Sequence, residues 1–182
     1  MKKVVLSLLL LSLSSWAIAN PLSVGFTLGF GGVDNSDALS INAQSQWNNL
    51  ITFRNEWALT GYWNTELNYF SASSPENTHY NNFTMLSETP NLRYIRDTPY
   101  QNSLRPFIDA GFGLGVMNQR QFSNNDLGGY FTFRESIGFG TRFGDDSQFE
   151  ISYHYIYLTN LSLLPSNDGF FINTIDFDYY FL

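Results

Sequence analysis

The 182-residue chain has no cysteine, which excludes disulfides and thiolate metal sites. Lysine occurs only at Lys2 and Lys3, inside a leader-like stretch. Without those two, the nine basic residues become seven arginines against sixteen acids, a net charge of −9. So acidic a chain is a poor partner for nucleic acid, whose binding rests on phosphate neutralisation by basic clusters. Beyond the leader no long apolar run exists, although 18% of residues are aromatic and mean hydropathy is only −0.17. Helical membrane spans need nearly continuous apolar sequence, so a helical membrane protein is excluded. Dinucleotide fingerprints, phosphate loops and HExxH helices are also missing.

The leader itself has a recognisable anatomy. Met1-Lys2-Lys3 precedes an apolar run from Val4 to Leu13 and then Ala17-Ile18-Ala19. A basic start, a short apolar middle and a small-residue cleavage site make a secretory signal peptide, too short to span a bilayer as a helix. Residues 1–19 are therefore read as signal peptide and residues 20–182 as one domain.

The rest of the chain alternates. Leu22, Val24, Phe26, Leu28 and Phe30 take turns with Ser23, Gly25, Thr27 and Gly29. Successive strand side chains point to opposite faces, so such a run has one greasy and one small or polar face. The same alternation recurs at about 38–47, 56–71, 105–117, 130–143, 148–159 and 170–182. An irregular strand near 83–94 places Phe83 and Met85 on one parity and Leu92 and Tyr94 on the other, with Pro90 between. A bulge at the proline would account for that flip.

Eight strands with an aromatic face predict an all-β fold: an eight-stranded antiparallel transmembrane barrel of a bacterial outer membrane, with lipid outside and a polar lumen. Within it, Glu150, Ser152 and His154 should meet Thr174, Asp176 and Asp178, and Arg142 should pair with Glu150. Glu135 breaks the pattern by falling on the lipid side, so it should lie near a rim or behind a bulge. Trp57 and Tyr69 should mark the two water–lipid boundaries. His79 falls in a polar loop. Asp145-Asp146 and Asn167-Asp168 read as turn formers rather than calcium ligands, and no cofactor is implied.

Particular blocks resemble the outer-membrane lipid A 3-O-deacylase (acyloxyacyl hydrolase-like) family along the whole chain after the leader. They are Gly61-Tyr62-Trp63, the run from Arg105 to Gly111, the run from Phe133 to Gly138, and Thr159-Asn160 followed by Pro165, Asn167, Asp168 and Gly169. The resemblance implies removal of an ester-linked acyl chain from lipid A by a serine-hydrolase-like site. That site is a His-x-Ser-Asn run late in strand seven with an acid early in strand eight. A hydroxyl needs an imidazole to lose its proton, and the imidazole needs a carboxylate to orient it. Carried onto this chain, the asparagine is Asn160 and the serine position holds Thr159. The histidine position holds Tyr157, and the acid position holds Phe171. A phenol is a poor base near neutrality, and a phenyl ring orients nothing by charge. His154 lies on the opposite face of the strand, where a lumen network accounts for it. Three functions are open at this point: hydrolysis of lipid A, a non-catalytic relative of the family that keeps the barrel and binds lipopolysaccharide, or a structural or adhesive barrel whose loops bind something outside the cell.

Overall fold

The computed structural model describes residues 22–48, 50–53, 56–73, 80–99 and 103–181. The leader and His79 lie outside them. Eight long strands make the wall: β1 (Leu22–Phe30), β2 (Ser36–Gln46), β3 (Trp57–Ala72), β4 (Asn82–Arg96), β5 (Arg105–Met117), β6 (Phe131–Phe143), β7 (Phe149–Thr159) and β8 (Phe170–Phe181). Each pairs antiparallel with the next, and β1 pairs with β8 from Leu22↔Phe181 to Phe30↔Asn173. The sheet closes into an up-and-down barrel with no free long edge.

Burial is inverted relative to a water-soluble protein. The outward row carries Phe26, Ile41, Ile108, Ile137 and Phe139, the last three about 60% exposed. Inward positions hold buried Thr27, Asn42, Glu66, Arg93, Asp109, Arg134, Glu150 and His154. Only hydrocarbon solvates such an exterior favourably, so the wall has the character of an outer-membrane barrel. The rim where β1 starts and β8 ends carries the tight 144–147 turn and faces the periplasm. The segments between β3 and β4, β5 and β6, and β7 and β8 then sit on the extracellular side. Trp57 stacks on Tyr94 near the periplasmic rim, with ring centroids 4.8 Å apart, while Tyr69 is exposed near the other end.

The interior has two layers. Toward the periplasm it is a charged network. Arg93 reaches Glu150 at 2.7 Å and Asp109 at 2.8 Å, with its guanidinium 3.6 Å above the Phe107 ring. Arg142 also reaches Glu150, at 2.9 Å, as the alternation across the turn predicts. At the upper edge of the network Arg134, opposite Leu158 of β7, pairs with Glu66 at 3.0 Å. Charges withdrawn from water persist only with partners this close. Toward the extracellular side the interior is apolar: Phe70, Phe83, Met85, Met117, Ile156, Leu158, Phe170 and Ile172 cluster, and Phe122 enters from the β5–β6 connection. The Phe70 and Phe83 rings stack at 4.4 Å. This layer closes the barrel.

That layer also corrects the reading of β4. Its register against β3 runs without a slip from Trp57↔Arg96 to Ser71↔Asn82, so Pro90 makes no bulge. Phe83 and Met85 lie on the inward row with Arg93, and Leu92 lies outward. Parity never flipped. The apolar side chains changed sides because the lumen has a greasy layer of its own.

Candidate functional site

The extracellular third of the β6–β7–β8 wall brings the candidate residues together. Tyr157 on β7 stands opposite Phe171 on β8 and opposite Glu135 on β6. Phe112 of β5 in turn stands opposite Glu135. Phe112, Glu135, Tyr157 and Phe171 therefore form one outward row, interrupted by no bulge. One row higher, Thr159 stands opposite Phe133. Phe171 is 39% exposed and its ring stacks on Tyr155 at 5.9 Å.

Thr159 sits differently from its neighbours. By alternation it belongs to the lipid face, yet it is only 5% exposed. The segment after it folds back, and Asn167 covers the hydroxyl. Thr159 Oγ1 donates to Asn167 Oδ1 at 3.2 Å and accepts from Asn167 Nδ2 at 3.1 Å. It also accepts the Leu161 backbone N–H at 3.0 Å. Asn167 Oδ1 further accepts the Asn160 N–H at 3.0 Å. The Asn160 side chain is buried, and its Nδ2 donates to Leu127 O at 3.2 Å and to Ser166 O at 2.5 Å. Thr159 and Asn160 together tie the β7–β8 connection to itself and to the β5–β6 connection.

Tyr157 is held by the same connection. Its phenol ring packs over Gly169, whose φ of +68° puts it in the left-handed region. A Cβ at that position would collide with the ring and would also be strained by the backbone. Asp168 supplies Oδ2 as acceptor for the Asp126 backbone N–H at 2.7 Å, again joining the two connections.

His154 points into the lumen, away from this wall. Its Nδ1 lies 2.8 Å from Asp176 Oδ2 and its Nε2 lies 2.8 Å from Asp109 Oδ1. Both ring nitrogens are occupied by carboxylates inside the barrel, as the lumen reading of the sequence required. The residue that sequence reasoning undervalued is Asn167, whose amide reaches Thr159 only because the connection folds back. Glu135 did give a signal, its broken parity, but alternation alone gave it no neighbours.

Eight antiparallel strands, a lipid-facing exterior and a filled lumen define an outer-membrane β-barrel, with its outward row of interest near the extracellular rim. The family profile described as lipid A 3-O-deacylase (PagL) matches residues 37–180, and the chain belongs to that family. It is 26% identical over 174 residues to lipid A deacylase PagL of Pseudomonas aeruginosa, covering 93% of each chain. In fold it is similar to the crystal structure of the outer membrane enzyme PagL, with a TM-score of 0.73 at 20% identity, covering 86% of this chain and 98% of that one. Neisserial surface protein A is a more distant structural neighbour, with a TM-score of 0.50 at 9% identity over 88% of this chain and 95% of that one.

Proposed function

We propose that this protein holds lipid A against the extracellular part of its β6–β8 wall without hydrolysing it. The reading is supported above all by the surroundings of Thr159. Its hydroxyl is enclosed by Asn167 and the Leu161 N–H, and the residues flanking it on the outward face are aromatic. Hydrolysis of an ester by this route needs a base within hydrogen-bond reach of the nucleophile and a carboxylate behind the base. The one described imidazole is committed to Asp109 and Asp176 across the wall. The outward row itself favours lipid: Phe112, Phe133, Tyr155 and Phe171 offer a rigid aromatic surface on which acyl chains pack.

Mass spectrometry of lipid A from cells with and without the protein tests this. The expected spectra are identical in acyl-chain number, and lipid A should copurify with the barrel in native mass spectrometry. Loss of a 3-linked acyl chain that disappears on Thr159→Ala would make the protein a hydrolase instead.

A further inference from the structure

Three carboxylates of the described wall strands face outward, Asp37, Glu88 and Glu135, and their surroundings differ. Asp37 at the start of β2 accepts a hydrogen bond from the Ser73 hydroxyl at 2.8 Å. Glu88 on β4 accepts a hydrogen bond from the Thr65 hydroxyl across the β3–β4 ladder. Glu135 on β6 has no hydrogen bond or ion pair among the described residues. It is half-buried between its cross-strand neighbours Phe112 and Tyr157, with Phe133 and Ile137 two positions away on either side along the strand. A carboxylate without a donor on a lipid-facing wall opposes folding; the phenyl rings beside it cannot donate, and the Tyr157 phenol lies over Gly169 instead.

Its depth narrows the choice of donor. Glu135 lies four residues below the start of β6 at Phe131. At about 3.3 Å per residue and a tilt of about 40°, that is roughly 10 Å below the strand end. An apolar belt about 25 Å tall, centred on the strand, then has the carboxylate in its upper part. That is roughly 7 Å below the edge of the belt, where the sugar of an outer-leaflet glycolipid gives way to acyl chains, and the glutamate side chain covers part of that distance. The donors available there are the amide N–H and acyl hydroxyl groups of the lipid.

We infer that Glu135 is a lipid-recognition residue: its carboxylate accepts a hydrogen bond from an amide N–H or hydroxyl of a lipid A acyl attachment seated between Phe112 and Tyr157. The inference rests on the lipid A reading above and adds the contact that distinguishes lipid A from a simple diacyl lipid. Two properties follow together. The carboxylate lowers the stability of the empty barrel, and it raises affinity for a lipid bearing such donors.

The test uses the full-length barrel in detergent, with Glu135→Gln, Glu135→Ala and Glu135→Leu. The probes are lipid A and a diacyl phosphatidate, which has phosphate and acyl chains but no amide or hydroxyl donor. Wild-type protein should prefer lipid A. Glu135→Ala and Glu135→Leu should weaken lipid A binding about tenfold or more while leaving phosphatidate unchanged, the scale of one hydrogen bond to a charged group. Glu135→Gln should lose less, because its amide oxygen still accepts. Glu135→Leu should also raise the urea midpoint, which separates a binding role from a structural one. Unchanged lipid A affinity in Glu135→Leu, or equal loss for both lipids, would overturn the inference and leave the lipid A reading standing. A wild type with no preference for lipid A would remove both. Should Glu135→Leu not refold, Glu135→Ala, which also removes the acceptor, carries the same comparison.

Discussion

The Thr159 hydroxyl and the Asn167 side-chain amide clasp each other, with Oγ1 3.2 Å from Oδ1 and 3.1 Å from Nδ2. A hydroxyl so engaged organises a loop, and the nearest consequence is mechanical. Asn167→Ala removes an acceptor shared by Thr159 Oγ1 and the Asn160 N–H, costing about 1–3 kcal/mol of local stability. The expected outcome is faster proteolytic nicking between 160 and 169 with the barrel still heat-modifiable on gels. Cleavage at the wild-type rate would mean that the connection is held elsewhere.

The aromatic replacements make a reverse experiment possible. Tyr157, Thr159 and Phe171 lie on the outward parity of adjacent strands, with Tyr157 and Phe171 directly opposite. Tyr157→His, Thr159→Ser and Phe171→Glu combined would supply imidazole, unbranched hydroxyl and carboxylate in the order the family resemblance implies. Residues of such a constellation act as a unit, so each single change should remain inert and the triple change should release a lipid A acyl chain. Adding Asn167→Ala should increase that release by freeing the hydroxyl. Mass spectrometry of the lipid product reads every arm.

Stability should depend most sharply on the lumen. Arg93 is fully buried between Asp109 and Glu150, and Asp109 also accepts the Tyr62 hydroxyl at 2.8 Å. Arg93→Ala leaves two carboxylates facing each other without their shared cation. Breaking a buried pair in this way costs about 3–5 kcal/mol. Urea titration of the detergent-refolded protein should show a large fall in midpoint. Arg96→Ala, whose salt bridge to the half-exposed Glu56 lies at the rim, should change stability by less than about 1 kcal/mol.

Much of this molecule follows from alternation alone. A period of two assigns each side chain to a face, and from Leu22 onward the greasy set is too aromatic and too often repeated to be covered by the rest of so short a chain. The barrel, its lipid exterior, the inward Glu150, Ser152 and His154, and the Arg142–Glu150 pair were all legible in that way. Alternation says nothing of what fills a face. Phe83 and Met85 read as lipid-facing, because a greasy residue on an inward row is indistinguishable from a flipped one until the opposite wall is in place.

The same boundary divides the candidate site. Sequence by itself determined which residue types occupy the outward positions near the extracellular rim: a phenol, a hydroxyl, a phenyl ring and one misplaced carboxylate. Only the tertiary structure decided that Asn167 folds back onto Thr159 and that His154 is taken by Asp109 and Asp176. It also set Glu135 level with Tyr157, without a partner among the described residues. Those relationships join side chains from separate strands and connections. They depend on closure and register, which no single strand encodes.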